Sequence, residues 1–257
     1  MILFLIVTAT ALAGIASIAA AATLSLKFLT KMVDRMVSVS VGILLATALL
    51  HSLPEAFNAP GVSPQTLFAF LLVGLLGFFV LEKAALLRHN HHHEGDGHGH
   101  HHGHDAENAG RSGWMVLVGD GIHNFVDGIL IAAAFMADPK VGILTSLAII
   151  AHEIPQEVGD FMVLLNAGFS KSRALIYNLA CGLLSVIGGV LGYLFLDSAK
   201  PLIPYLLVFA SSSFIYIAVS DLMPQMHRRP HVGESIKQIG LITLGVALVL
   251  LLSLLRD

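Results

Sequence analysis

The sequence predicts an all-α membrane protein with eight transmembrane helices and both termini on the outer side of the bilayer. Three observations carry this. Of the 257 residues, 56% are hydrophobic and 12% charged, about half the charged share of a soluble domain, and the mean hydropathy is +0.81. The apolar residues fall into eight long runs separated by charges and turn residues. The basic residues between those runs are distributed unevenly. The net charge of −3 offers nothing to a nucleic acid, and the single cysteine, Cys181, lies inside an apolar run, so no intramolecular disulfide can form.

The first run, Ile2 to Leu26, contains no charged residue. Val37 to Phe57 is apolar until His51 and Glu55, and Gln65 to Leu81 follows. Trp114 to Met136, Val141 to Phe169, Ala174 to Leu196, Pro201 to Ser220 and Gln238 to Leu255 complete the set. A spanning helix needs about 20 such residues, and each run is near that length. Only helices or closed barrels satisfy the backbone inside lipid, and runs this continuous are not barrel strands. Small residues at Ala19–Ala22 would suit a signal-peptide cleavage site, but no Lys or Arg precedes the first run as a signal peptide requires, so it reads as a retained helix. With the N-terminus outside, Lys27, Lys31, Arg35, Lys83, Arg88, Arg111, Lys171, Arg173, Arg228, Arg229 and Lys237 fall on the inner side. Only Lys140, Lys200 and Arg256 fall outside. The positive-inside rule therefore places both termini outside, and residues 1–257 read as one transmembrane domain.

Residues 88–110, between the third and fourth helices, read as a disordered cytoplasmic loop. Its centre, 89–104, is HNHHHEGDGHGHHHGH, with nine histidines that include His91, His92, His93, His100, His101 and His102. A Gly-rich, low-complexity stretch does not fold alone. Clustered neutral imidazoles bind Zn, Ni, Cu or Co weakly and interchangeably. An engineered tag would sit at a terminus, so the tract reads as a metal buffer or sensor at an exit, with an inert tract as the alternative.

The fourth and fifth helices carry the strongest signal. The fourth contains Asp120, His123, Asn124 and Asp127; the fifth contains His152, Glu153, Gln156, Glu157 and Asp160. Positions i, i+3 and i+4 share a helix face, so His123 lies one turn from Asp127, and His152 one turn from Gln156. The midpoints of the two helices fall near residues 124 and 154, so at a rise of about 1.5 Å per residue these groups sit close to mid-membrane. A charge there costs at least ~2.5–3.5 kcal/mol. Between Arg111 and Lys171 the only Lys or Arg is Lys140, in the connecting loop, so the carboxylates have no cation within these helices. Either they are protonated and bonded to one another, as in a proton relay, or a bound cation supplies the missing charge. Histidine among the ligands points away from Mg²⁺ and Ca²⁺ and toward Zn²⁺, Fe²⁺, Mn²⁺ or Cd²⁺. The two helices run antiparallel and repeat one pattern, as inverted pairs do around a midplane site. Pro155 removes its own N–H and releases the carbonyl of Ala151. At the outer end of the second helix, His51 and Glu55 are placed to collect cations; Glu82 and Asp221, near the inner face, are placed to receive them. The alternative is ordinary interfacial residues.

The motifs HNFVDG (123–128) and HEIPQEVGD (152–160) resemble the fourth and fifth helices of the ZIP (Zrt/Irt-like) metal transporters. GILLATALLHSLPEAF (42–57) resembles the second helix of that family, FFVLEK (78–83) the third and SSSFIYIAVSDLMPQ (211–225) the seventh. The form of the fifth helix is similar to the subfamily with a metalloprotease-like motif there. The resemblance implies divalent-metal transport, usually of zinc, from outside or an organelle lumen into the cytosol. It also implies a binuclear site, with His123, Asp127 and position 156 at one metal, and Asn124, Asp127, His152, Glu153 and position 156 at the other. Position 156 departs from the family, which has Glu or His where this chain has Gln, a neutral and weaker ligand; Glu157 is the nearest replacement. The sixth helix lacks an acidic ligand found in some relatives, leaving Asn178 and Ser185 as polar substitutes.

The resemblance implies Zn²⁺ as transported substrate, with Fe²⁺, Mn²⁺ and Cd²⁺ as further candidates, and no organic cofactor. The partners expected are divalent metal ions and the lipid bilayer, with a homodimer left open and no nucleic acid. A bacterial inner membrane is the expected location, for want of an N-terminal ectodomain, and an organelle membrane such as ER or Golgi is the alternative. No ATP-binding G-x-x-x-x-G-K motif is present. HEIPQ begins like H-E-x-x-H, but the second His is missing and a proline interrupts it, so an intramembrane peptidase is a weak competitor. A non-transporting metal sensor is the other.

Overall fold

The computed structural model describes residues 1–23, 26–90, 104–227 and 232–254. These form α1 (Ile2–Thr23), α2 (Leu26–Thr47), α3 (Leu53–Asn58), α4 (Pro64–Asn90), α5 (His104–Ala137), α6 (Pro139–Asn166), α7 (Lys171–Ser198), α8 (Ile203–Tyr216), α9 (Met223–His227) and α10 (Val232–Leu254). A π turn at Ala48–Ser52 joins α2 to α3, and a second at Ile217–Leu222 joins α8 to α9. Each pair is thus one continuous rod, over residues 26–58 and 203–227. No strand occurs among the described residues.

Proline explains both π turns. Pro54 and Pro224 lie inside these rods, where a proline has no N–H to donate and crowds the carbonyl four residues back. In each rod the preceding residue instead bonds five residues back: Leu53 N–H reaches the Ala48 carbonyl and Met223 N–H reaches the Ala218 carbonyl. One widened turn absorbs the missing donor.

Five segments are long and apolar enough to cross a membrane: Arg35–Asn58, Val116–Ala137, Lys171–Ser198, Lys200–Met226 and Val232–Leu252. Ile2–Ala16 and Pro64–Val80 are shorter apolar helices. α6 is 28 residues long, but its polar stretch from His152 to Asp160 dilutes its hydropathy. Residues 88–90 and 104–110 of the expected loop lie at the ends of α4 and α5; the rest of the histidine tract, 91–103, is outside the described residues.

Local chemistry sets the ends of the central hairpin. Asp138 caps α6, its Oδ1 accepting from the N–H of Lys140 at 2.6 Å and of Val141 at 3.3 Å, with Pro139 at the first helical position. α6 closes at Gly168, whose φ of +87° is the left-handed conformation favoured by glycine. Ser170 then caps α7 by accepting from Arg173 N–H at 3.4 Å.

α5 packs along α7, and also touches α1, α6 and α8. The α5–α7 approach is backbone to backbone. A Cβ on Gly128 would sit 2.0 Å from the Ser185 carbonyl oxygen, and one on Gly188 2.0 Å from that of Phe125. Small residues allow such contact where lipid supplies no hydrophobic driving force between helices. α10 lies on α2 and presents Ile236, Ile239, Leu244 and Leu251 outward. Along the α5–α6 hairpin, a buried apolar layer that includes Ile131, Phe135, Leu144 and Ile149 stands nearer the Asp138 turn. A second layer, with Leu117, Val158, Phe161 and Leu164, lies at the opposite end. Residues 120–127 of α5 and 152–157 of α6 fall between these layers.

Candidate metal site

The α5–α6 hairpin brings His123, Asp127, His152 and Glu153 together, one ligand atom from each lying within 4.8 Å of all the others. His123 Nε2 is 3.3 Å from His152 Nε2, 3.5 Å from Glu153 Oε1 and 3.8 Å from Asp127 Oδ2. His152 Nε2 is 3.4 Å from Asp127 Oδ2 and 3.9 Å from Glu153 Oε1. Asp127, His152 and Glu153 are each 2% exposed, whereas the His123 side chain is 24% exposed. A second group, Asp120, Glu153 and Glu157, meets the same 4.8 Å condition. Glu153 belongs to both.

The tautomer of His152 follows from its other nitrogen. Nδ1 lies 3.0 Å from the Ala148 carbonyl oxygen, which can only accept, so Nδ1 carries the proton. Nε2 is then the nitrogen that faces the cluster, the arrangement by which a backbone carbonyl orients a metal-binding imidazole. Phe214 of α8 stands beside the ring, with centroids 6.1 Å apart.

The carboxylates are poorly partnered. Asp120 Oδ2, Asp127 Oδ2 and both oxygens of Glu153 and Glu157 are buried without a hydrogen bond. Among the described residues, the two imidazoles are the only potentially cationic groups within 4 Å of them. Three carboxylates this close cannot all hold charge in a buried site unless a cation or protons compensate.

Backbone supports come from neighbouring helices. The Ala151 carbonyl released by Pro155 accepts a hydrogen bond from the Ser40 hydroxyl of α2. Asn178 Nδ2 of α7 donates to the Glu157 carbonyl at 3.2 Å. Ser185 is buried with its hydroxyl unpartnered. Asn124 spends its amide nitrogen on Asp120, at 2.9 Å to Oδ1 and 3.2 Å to the carbonyl. Gln156 approaches Asp120 and lines a cavity beside His152, while Glu157 joins the second group. Asp120, named from sequence among the polar residues of the fourth helix, was not assigned there as a ligand, and Ser40 was not singled out. Asp120 lies one turn before His123 and Asn124; Ser40 has no sequence signal apart from the freed carbonyl it serves.

His51 lies in the first π turn, half-buried with Nε2 unpartnered, and Glu55 is one turn further on, in α3. Both are far along the rod from Ser40, His51 by about 16 Å at 1.5 Å per residue. The side chains of Glu82 and Asp221, and residues His91, His92, His93, His100, His101 and His102, lie outside the described residues.

The family model described as ZIP Zinc transporter matches residues 85–253. The chain is 41% identical over 142 residues to zinc transporter foi of Drosophila melanogaster, covering 55% of this chain and 20% of that protein. It is 38% identical over 152 residues to zinc transporter ZIP10 of Danio rerio, covering 56% of this chain and 18% of that protein. The chain thus spans about a fifth of the length of these two relatives. Against zinc transporter ZIP13 of Pongo abelii it is 32% identical over 243 residues, covering 87% of this chain and 67% of the relative. The chain is an integral membrane protein and belongs to the ZIP zinc transporter family.

Proposed function

We propose that the chain carries zinc across a membrane, from outside or a lumen into the cytosol, through the buried site between α5 and α6. The observation that carries this reading is the convergence of His123, Asp127, His152 and Glu153 within 4.8 Å, with buried carboxylate oxygens that no lysine or arginine pairs with among the described residues. Two imidazoles with carboxylate oxygens form a donor set suited to Zn²⁺. Glu153 bridges to the second group, where Asp120 and Glu157 supply further oxygens. In this reading the site is binuclear, Glu153 is the shared ligand, and Gln156 is not required at either position. The names of the relatives support zinc as cargo, and they weigh against a peptidase.

All eight rods cross the membrane in this reading, with both termini outside. α6 then ends on the cytosolic side, and the cavity lined by His152, Gln156 and Asp160 lies on the way there. His51 and Glu55 stand toward the outer mouth. The histidine tract captures ions on the inner side.

Zinc uptake into proteoliposomes loaded with a zinc-sensitive dye tests the reading. The native chain is expected to transport, and His123→Ala and Asp127→Ala to abolish uptake. Wild-type uptake by both variants would take the site off the path, and saturable binding without flux would make the chain a sensor.

A further inference from the structure

A cavity of about 380 Å³ borders the central site on the side of the α6 C-terminus, lined by His152, Gln156 and Asp160 of α6, by Ile217 and Leu222 of the second π turn, and by Gln225 of α9. At about 30 Å³ per water, such a volume holds on the order of ten waters. It therefore has room for a zinc ion that has regained much of its hydration shell. Asp160 is half-buried and belongs to neither group of converging ligands. No hydrogen bond or ion pair engages its carboxylate among the described residues. Gln156 is four residues earlier on the same helix face. Asp160 lies about 12 Å along the axis from His152 and about 9 Å short of Asn166, at 1.5 Å per residue. It therefore stands roughly midway between the central site and the end of α6.

We propose that Asp160, in the cavity that Gln156 and Gln225 also line, is a second, weaker station for the divalent cation, occupied after the ion leaves the central site. This rests on the transport reading above. The chemistry suits release. The central group offers two imidazoles and two carboxylates and gives up its ion slowly. A single carboxylate with neutral amide oxygens in a hydrated cavity attracts the ion without replacing its water shell. Movement through a pathway needs sites that bind well enough to be entered and weakly enough to be left. An unpaired carboxylate one step inward lowers the barrier between central site and cytosol.

The test compares the full-length wild-type chain with Asp160→Asn and Asp160→Glu. It combines zinc uptake into dye-loaded proteoliposomes with titration of the purified proteins against a chromophoric zinc indicator. Asp160→Asn is expected to lower maximal uptake about tenfold, the factor for a barrier about 1.4 kcal/mol higher. It should leave the tightest zinc equivalent unchanged, which also reports an intact fold. Asp160→Glu is expected to restore most of the rate. Uptake by Asp160→Asn at the wild-type rate overturns this inference alone. So does loss of the tightest equivalent, which would make Asp160 part of the central site. A wild-type chain that binds zinc but does not transport it overturns the transport reading, and this inference with it.

Discussion

Glu153 is the residue through which both ligand groups would feel a single substitution. Glu153→Gln removes one negative charge while keeping an oxygen of similar size in place. Glu153 Oε1 lies 3.5 Å from His123 Nε2 and 3.9 Å from His152 Nε2, so an ion among these atoms would be closer to it than 4 Å. At 4 Å and an effective dielectric constant near 20, two unit charges interact by about 4 kcal/mol, and a dication doubles that to about 8. Most of this is offset: the amide oxygen still coordinates, and the lost charge also relieves repulsion from Asp120 and Glu157, within 4.8 Å. A net loss of about 2–3 kcal/mol remains, or roughly 30- to 150-fold weaker zinc binding at each position. The assay is competition with a chromophoric zinc indicator, with the histidines of residues 89–104 replaced by serine in both proteins. Two tight equivalents are expected in the reference protein, both weakened by Glu153→Gln. Asp127→Asn should weaken only the first, and Glu157→Gln only the second. If Glu153→Gln weakens one equivalent and spares the other, the shared-ligand argument is wrong.

Ser40→Ala leaves the buried Ala151 carbonyl without its donor, a loss of about 1–3 kcal/mol. Its thermal midpoint in detergent should fall, whereas Ser40→Thr, which keeps the hydroxyl, should not. Gly128→Ala would place a methyl 2.0 Å from the Ser185 carbonyl oxygen, forcing α5 from α7 at a cost of about 3 kcal/mol or more. Fluorescence-detected size exclusion should show loss of the monodisperse peak. Gly77→Ala meets nothing within 4 Å and should be neutral or stabilising by about 0.5–1 kcal/mol in the same assay.

The sequence was informative where its signal was local. Run length and charge placement located the rods, because helices in lipid must be long, apolar and internally bonded. His123 with Asp127, and His152 with Glu153, were legible because helical periodicity aligns them and their cost at mid-membrane demands a reason. The pairing of residues across helices was less legible. Which carboxylate faces which depends on the rotation of α5 against α6, and α5 is held in place by the close contacts of Gly128 with Ser185 and of Phe125 with Gly188 of α7. This rotation brings Asp120 of α5 to Glu153 and Glu157 of α6. The fate of the Pro155 defect was also nonlocal. Pro54 and Pro224 are absorbed within their own rods by π turns, but Pro155 is served by Ser40, more than 100 positions away. Asn178 of α7 donates through Nδ2 to the Glu157 backbone and keeps a buried, unpartnered Oδ1, a contact between two helices that no local pattern announces.

Zinc-edge anomalous diffraction from crystals of the full chain tests the central claim most directly. The account predicts a strong peak at about 2.0–2.2 Å from ligand atoms of His123, Asp127, His152 and Glu153. It also predicts a weaker peak among Asp120, Glu153 and Glu157. Zinc density confined to the histidine tract or the outer surface, with none between α5 and α6 in protein that transports zinc, would contradict it.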